Sequence, residues 1–325
     1  MTQIIGNGRS QAAFFTAAAS ESMPHTWLIT GPEGIGKASF ARAAAAHVLA
    51  HAADPHIPLA ADVDLSGNAI ASQIASGSHP DFRVLERLPK DAKKPDGGLA
   101  RSIKVDQVRE LQPMFATRPT YSNRRIVIID SIDDCERSAA NALLKNLEEP
   151  PAGTIFLLIS HSPGRLLPTI RSRCRVLRFD ALDDGTVAAI LRRHLPDADA
   201  DEIETLVHAG KGSPGRAIAF AGLDLAAIER EVALIAKSGD PNNAIRSRLG
   251  SALGTKAAQP RYEAFLERAP SFIAECARDR QGHALRTALD AYRDARSLCD
   301  AALGLSLDPQ ATVFEMGGVI ARLAD

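Results

Sequence analysis

A glycine-rich turn between an apolar run and an alanine-rich segment constrains the fold of this chain more than any other feature. Three glycines follow the apolar run Thr26–Thr30: Gly31, Gly34 and Gly36. The segment 37–52 after them begins with Lys37 and has the composition of a helix. A strand, such a turn and a helix form a phosphate loop, in which backbone N–H groups, the helix N-terminus and the lysine surround an anion. The sequence therefore predicts an α/β P-loop domain.

Short apolar runs recur through the first half of the chain and predict the strands of a sheet. They lie at 26–30, 82–85, 126–129, 155–159 and 176–179. Helical segments predicted at 37–52, 105–116 and 138–149 separate them. Nearly continuous apolar strands are typical of a parallel sheet that is covered on both faces, and their alternation with helices predicts a doubly wound domain at 1–180.

The second half of the chain predicts helices alone. Helical patterns at 183–194, 199–209 and 214–222 predict a small helical lid at 181–223, and about five longer helices fill a domain at 224–325. Two segments in the first half have no clear period. One is 53–79, and the other, 87–101, predicts an exposed loop.

Composition excludes several classes of protein. The 325 residues include 38 Lys and Arg against 39 Asp and Glu, so no overall field attracts nucleic acid. The four cysteines stand alone without C-x-x-C spacing, which makes zinc unlikely and predicts no metal ligands. Without an apolar run of eighteen residues, no membrane segment is expected. These features predict a cytoplasmic protein.

The nucleotide site has lost residues that hydrolysis requires. Asp130 ends an apolar run where a working site holds Mg²⁺, but Ser131 follows where such a site has a glutamate that polarises water. Ala38 offers no oxygen to the metal, and Ser39 points about 100° away around the helix. Asp133 and Asp134 lie beyond the strand and are poor replacements. We expect ATP or ADP to bind weakly or statically, with slow or absent hydrolysis. The predicted nucleotide contacts are Gly31, Gly34, Ile35, Gly36, Lys37, Ala38, Ser39, Asp130 and Arg216.

Two arginines have both a functional and a structural interpretation. Arg173 lies in an arginine-rich run that could be a solvated face, or could present a cation to a neighbour's γ-phosphate. Arg216 follows Ser213 and Pro214, which predict a helix start. A cation in the first turn opposes the helix dipole, so Arg216 either faces an anion or is a surface residue of small cost.

Six segments together resemble bacterial clamp-loader subunits of the AAA+ family, and within that family the delta prime branch. They lie at 25–37, 77–81, 105–109, 139–151, 169–174 and 212–216. The resemblance covers roughly residues 4–220, and the last hundred residues match only as a helical domain. The resemblance implies an AAA+ domain, a helical lid and a helical collar. The gamma/tau paralogue keeps a Glu after the strand Asp and a Thr or Ser after the loop Lys, and this chain has neither.

The resemblance also implies partners and a mechanism. It implies a stationary subunit of a hetero-pentamer with gamma/tau and delta paralogues, which opens the sliding clamp and loads it on primed DNA. Arg173 matches the arginine finger that completes a neighbour's ATP site. Many relatives carry a four-cysteine zinc module before the His-Pro-Asp, but residues 53–78 contain no cysteine. The alternatives are an ATPase of gamma/tau or junction-migration type that hydrolyses ATP itself, and a free-standing DNA-binding protein.

Overall fold

The computed structural model describes residues 4–20, 22–91 and 98–324. The chain divides into two compact units. The first comprises Met1–His194 and Gly210–Arg216, and the second comprises Leu195–Ala209 and Ala217–Asp325. The division into domains at 1–180, 181–223 and 224–325 stays a prediction.

The first unit is built on a parallel sheet of five strands. The strands are β1 (Thr26–Thr30), β2 (Phe82–Glu86), β3 (Arg125–Asp130), β4 (Thr154–Ser160) and β5 (Arg175–Arg178). Their order across the sheet is β2-β3-β4-β1-β5, and each neighbouring pair is parallel. The predicted α/β domain with a parallel sheet flanked by helices is confirmed. Because all strands run the same way, the residues that follow β1, β3 and β4 meet at one edge of the sheet.

Helices cover both faces of this sheet. The first unit contains α1 (Gly8–Ala18), α2 (Lys37–Ala53), α3 (Ala69–Ala75), α4 (Val105–Arg109), α5 (Gln112–Phe115), α6 (Arg137–Glu148), α7 (Pro168–Arg171) and α8 (Asp184–His194). Alternate residues of β3 enter different cores: Ile126 and Ile128 pack with α1 and α2, whereas Val127 and Ile129 pack with α6. Burial on both faces explains why the strands read as continuous apolar runs.

Three parts of the first unit differ from the sequence prediction. The helix α1 was not predicted, and α3 lies inside the 53–79 segment that showed no period. Asn68 starts α3, because its Oδ1 accepts hydrogen bonds from the Ile70 and Ala71 amides at 2.9 and 3.1 Å. The helix predicted at 105–116 is two short helices, since Pro113 has no N–H to continue the first one.

The predicted exposed loop at 87–101 includes residues 92–97, which lie outside the described residues. Its described flanks pair with each other in antiparallel fashion. Pro89 lies opposite Leu99, and the Lys90 amide donates to the Gly98 carbonyl at 2.9 Å. These flanks therefore leave and re-enter the domain side by side.

The second unit is helical in its described residues, as predicted. The remaining helices of the chain are α9 (Ala200–Gly210), α10 (Pro214–Phe220), α11 (Leu225–Ser238), α12 (Ala244–Leu253), α13 (Gln259–Arg278), α14 (Gly282–Leu305) and α15 (Pro309–Ala321). Ala288, Ala291 and Ala295 of α14 are fully buried, so this helix packs closely against its neighbours. Across residues 4–20, 22–91 and 98–324, no helix has the length and apolarity needed to cross a membrane.

Candidate functional site

The turn after β1 has the backbone conformation of a phosphate loop. Gly31, Gly34 and Gly36 all have positive φ, at 144°, 75° and 92°. A Cβ at Gly31 would lie 2.1 Å from the Phe179 carbonyl oxygen, so packing also requires glycine there. A Cβ at Gly36 would meet no atom within 4 Å, so only the backbone conformation requires glycine at that position. The open space beside Gly36 is where an anion could approach the amides of the loop.

Lys37 is folded back onto its own loop. The side chain is buried, and its Nζ donates to the carbonyl oxygens of Gly31, at 2.8 Å, and Pro32. Burial lowers the pKa of Lys37 to about 8, although the negative charges of Glu33, Asp130 and Asp133 act in the opposite direction. To contact a bound phosphate, the ammonium group would have to leave these two carbonyls.

The other predicted contacts at the start of α2 have different surroundings. Ile35 is a buried core residue, and Ala38 packs partly against the same core. Ser39 is exposed. None of these three side chains adds an anion-binding group beside Lys37, so any contribution they make to nucleotide binding comes from their backbone amides.

Asp130 ends β3 and Ser131 follows it, and the two side chains differ in burial and in hydrogen bonding. Asp130 is half-buried, and burial raises the pKa of its carboxyl group against the opposing charges of Arg42 and Lys37. Ser131 is buried, and its Oγ has no hydrogen-bond partner in the part of the chain that the structure describes. A buried hydroxyl cannot act as the general base that would activate a water molecule.

The two carboxylates after Ser131 are engaged in structural contacts. Asp133 accepts hydrogen bonds from the Ser160 hydroxyl at 3.0 Å and from the His161 amide at 2.6 Å. Asp134 pairs with Arg87 at 3.2 Å. These contacts tie the turn after β3 to the end of β4 and to the segment after β2. They support the expectation that neither carboxylate replaces the missing glutamate.

A cleft of about 460 Å³ lies beside these residues. It is lined by Glu33, Glu86, Arg87, Leu99, Asp130, Ser131, Asp134 and His161. Four of these side chains carry carboxylates and one carries a guanidinium group, so the charge facing the cleft is mainly negative. A bare polyphosphate would be repelled by these carboxylates, whereas a cation would be attracted.

The segment 212–216 contacts the phosphate loop, which lies in the same unit. Ser213 Oγ donates to the Glu33 carbonyl at 2.7 Å, and the Gly215 amide donates to the Gly34 carbonyl at 2.8 Å. Ser213 Oγ also accepts from the Arg216 amide at 3.3 Å, which confirms Ser213 as the N-cap of α10. The backbone of the half-buried Arg216 therefore lies beside the phosphate loop, and its contact with a nucleotide stays a prediction.

Arg173 lies between α7 and β5, and its contacts are with the end of α6. Its Nη2 lies 2.5 Å from Glu148 Oε1, and its Nη1 donates to the Thr169 carbonyl at 2.8 Å. One third of the side chain is exposed. The structure thus brings the loop, Asp130 and the 212–216 segment together but gives Arg173 a separate set of partners.

Sequence reasoning missed several residues at the site. The missed lining residues Glu86, Arg87 and Leu99 come from the second strand and the paired flanks of the 87–101 segment. The contacts of Ser213 and Gly215 with the loop were also missed, because they join positions about 180 residues apart. Knowledge of the strand order would have indicated that β2 and β3 end at the same edge of the sheet. Nothing in the apolar periodicity indicated the contact of 212–216 with the loop.

A family model described as DNA polymerase III, delta subunit, matches residues 7–183, which is more than half of the chain. The chain belongs to the DNA polymerase III delta subunit family. Among curated relatives, the DNA polymerase III subunit delta' of Pseudomonas aeruginosa is 42% identical over 193 residues, covering 58% of this chain and 53% of that protein. The Bacillus subtilis subunit delta' is 32% identical over 181 residues, covering 55% and 49%. The resemblance to the delta prime branch is confirmed.

Members of a related branch are also similar to this chain. The DNA polymerase III subunit gamma/tau of Mycobacterium bovis is 30% identical over 219 residues, covering 65% of this chain and 35% of that protein. The chain spans about half the length of the delta' relatives that it matches. The residues matched by the family model, 7–183, lie in the unit that carries the phosphate loop.

Proposed function

We propose that this chain is the stationary delta prime subunit of a bacterial clamp loader, and that it supplies Arg173 to the ATP site of a neighbouring subunit. The observation that carries the proposal is Ser131. Its buried hydroxyl stands where a glutamate would activate water, and the nearby Asp133 and Asp134 are held in structural contacts. A site without a general base contributes little hydrolysis of its own, so the contribution of this chain to turnover comes from elsewhere on its surface.

The position of Arg173 supports the proposed finger, because its partly exposed side chain lies in the connection between α7 and β5. An arginine presented at a subunit edge can stabilise the charge that develops on a neighbour's γ-phosphate, an effect worth roughly 10³–10⁵ in rate. The proposed neighbours are gamma/tau and delta paralogues in a cytoplasmic hetero-pentamer. The proposed substrates of the assembly are the sliding clamp and primed DNA.

In this proposal the phosphate loop of this chain binds ATP or ADP but does not hydrolyse ATP. The open space at Gly36 and the amides around it fit a phosphate group of ATP or ADP. Lys37 would turn from the loop carbonyls toward that group. The buried lysine and the carboxylates of the cleft both oppose polyphosphate binding, so we expect weak or static occupancy. The proposal includes no zinc ion.

The main alternative is a gamma/tau-like subunit that hydrolyses ATP itself. The intact loop and the 30% identity to gamma/tau relatives favour it. Ser131 and Ala38 oppose it, because neither the water-activating carboxylate nor the hydroxyl ligand of Mg²⁺ is present. Brisk steady-state hydrolysis by the purified chain alone would establish this alternative and remove the proposal.

The deciding experiment reconstitutes the assembly with its gamma/tau and delta paralogues and measures ATP turnover stimulated by clamp and primed DNA. We expect Arg173→Ala to remove the share of turnover that comes from the neighbouring subunit's ATP site. An arginine finger accelerates hydrolysis at such a site by roughly 10³–10⁵-fold. Arg171→Ala is the matched control, an exposed arginine two residues away that should leave turnover unchanged. Equal rates for wild type and Arg173→Ala would contradict the finger assignment.

A further inference from the structure

The backbone that carries Arg173 is held by the side chains of three consecutive residues. The Ser172 hydroxyl donates to the Thr169 carbonyl at 3.2 Å, and the Cys174 thiol donates to the Ile170 carbonyl at 3.1 Å. Arg173 itself donates to Thr169 from Nη1. These bonds lie at the end of the one-turn helix α7, where the Arg173 amide also donates to the Ile170 carbonyl at 3.1 Å. The base of the arginine side chain is therefore fixed locally.

The far end of the side chain is fixed by a different element. Glu148 is the last residue of α6, and its Oε1 lies 2.5 Å from Arg173 Nη2. A carboxylate at a helix C-terminus is unfavourable, because the helix dipole already places negative charge there. A guanidinium group at this position offsets that charge, so the end of α6 attracts and orients Arg173.

The contacts leave part of the guanidinium group able to bind a further anion. Arginine has five N–H donors, and the two contacts described use one on Nη1 and one on Nη2. One third of the Arg173 side chain and about half of the Glu148 side chain are exposed. The arginine is thus restrained by two acceptors from separate elements and still accessible from outside the domain.

We propose that Glu148 is a positioning residue that sets the geometry of Arg173 before it meets a neighbour's phosphate. This inference rests on the proposed function of Arg173. A free arginine side chain loses rotamer entropy when it is fixed, and a catalytic group displaced by about 1 Å can cost up to about 100-fold in rate. Glu148 removes both costs in advance, because it holds the guanidinium in one place.

The test compares Glu148→Ala, Glu148→Gln and Glu149→Ala in the reconstituted assembly. The measured quantity is the part of kcat that Arg173→Ala removes. We expect Glu148→Ala to lower that part about tenfold with KM for ATP little changed, because the group acts on the transition state. Glu148→Gln should restore most of it, since an amide oxygen still accepts from Nη2. Glu149→Ala, one exposed residue along, should match wild type.

A second measurement reports on the contact without catalysis. The Arg173 Nε–Hε resonance of the isolated chain should shift and broaden in Glu148→Ala but not in Glu149→Ala, with thermal stability unchanged in both. Full Arg173-dependent turnover in Glu148→Ala, higher turnover in that variant, or equal loss in Glu148→Gln would each overturn the positioning role alone. Absence of any effect of Arg173→Ala would overturn the proposed function, and this inference with it.

Discussion

At the scale of single residues, the phosphate loop keeps its glycines and its lysine, but the side chains around it are not arranged for hydrolysis. Lys37 is present but donates to its own loop, Asp130 is present but half-buried, and Ser131 is buried without a partner in the described residues. Each residue has a plausible identity for nucleotide binding, yet none of the three is arranged as a working site requires. The contribution of each of these three residues can be tested by substitution.

The ionisation of Lys37 gives a pH-dependent prediction. Its pKa falls from 10.5 to about 8 on folding, mainly through burial. Between these values the unfolded chain binds a proton that the folded chain has released, so the free energy of unfolding contributed by this residue rises with pH. Relative to Lys37→Met, we expect wild type to gain about 1–3 kcal/mol from pH 8 to pH 10.5, measured by urea denaturation.

The control for this measurement is Lys145→Met, which removes an exposed lysine of α6. Its difference from wild type should stay constant over the same pH range. A difference between wild type and Lys37→Met that stays constant over this range would show that folding leaves the pKa of Lys37 unchanged, and one that falls as pH rises would show that folding raises it.

At the scale of elements, connecting segments are held by a few buried polar contacts. The buried Asp81, before β2, accepts hydrogen bonds from the Thr120 and Tyr121 amides at 2.7 and 3.3 Å. The Asp81 amide in turn donates to His79 Nδ1 at 3.1 Å. The His-Pro-Asp segment, which contributed to the family resemblance, thus has a structural role, because it fixes the loop that enters β3.

Removing the Asp81 carboxylate should loosen that loop. In Asp81→Ala the Thr120 and Tyr121 amides lose a charged acceptor, and hydrogen bonds of this kind cost about 1–3 kcal/mol when broken. We expect a loss of that size in unfolding free energy and faster hydrogen exchange at residues 117–124. Asp106→Ala removes an exposed carboxylate paired with Arg109 and should cost less than about 0.5 kcal/mol. Similar exchange in both variants would rule out the role of Asp81.

At the scale of the whole molecule, each compact unit has its own hydrophobic core, and the helical unit also contains a buried arginine paired with two glutamates. In the helical unit Arg268 is buried and joins α11 to α13, since it contacts Glu229 at 2.5 Å and Glu275 through two bonds of 3.0 Å. A buried cation with both carboxylates in place is satisfied, but removal of one member leaves uncompensated charge. The stability of the helical unit therefore depends on this group.

Arg268→Ala should destabilise the helical unit by about 3–5 kcal/mol, because it leaves two carboxylates in a partly buried site without their cation. Hydrogen exchange should accelerate in α11 and α13 while β3 and β4 keep their protection, since these strands belong to the other unit. Arg293→Ala removes an exposed arginine paired with Asp290 and should change neither. Equal acceleration in the strands of the first unit would show that the two units unfold together.

Apolar patterning and residue identity were enough to predict the sheet, the phosphate loop and the residues that the loop and the strand after it lack. Periodicity and glycine placement located all five strands to within about one residue at each end, because a strand buried on both faces leaves a continuous apolar record. The same reasoning did not predict α1 or α3, and it predicted α4 and α5 as one helix that continued across Pro113. Short helices leave a weak periodic signal, and their ends depend on caps such as Asn68.

Only the tertiary structure decided what surrounds the chemical groups. The carbonyl partners of Lys37, the contact of Ser213 with the phosphate loop, and the pairing of Arg173 with Glu148 each depend on backbone brought together by folding. Local sequence fixes which groups are available, since it sets their chemistry and their order. Burial and charge at the site come from segments distant in the chain, so they follow from packing alone.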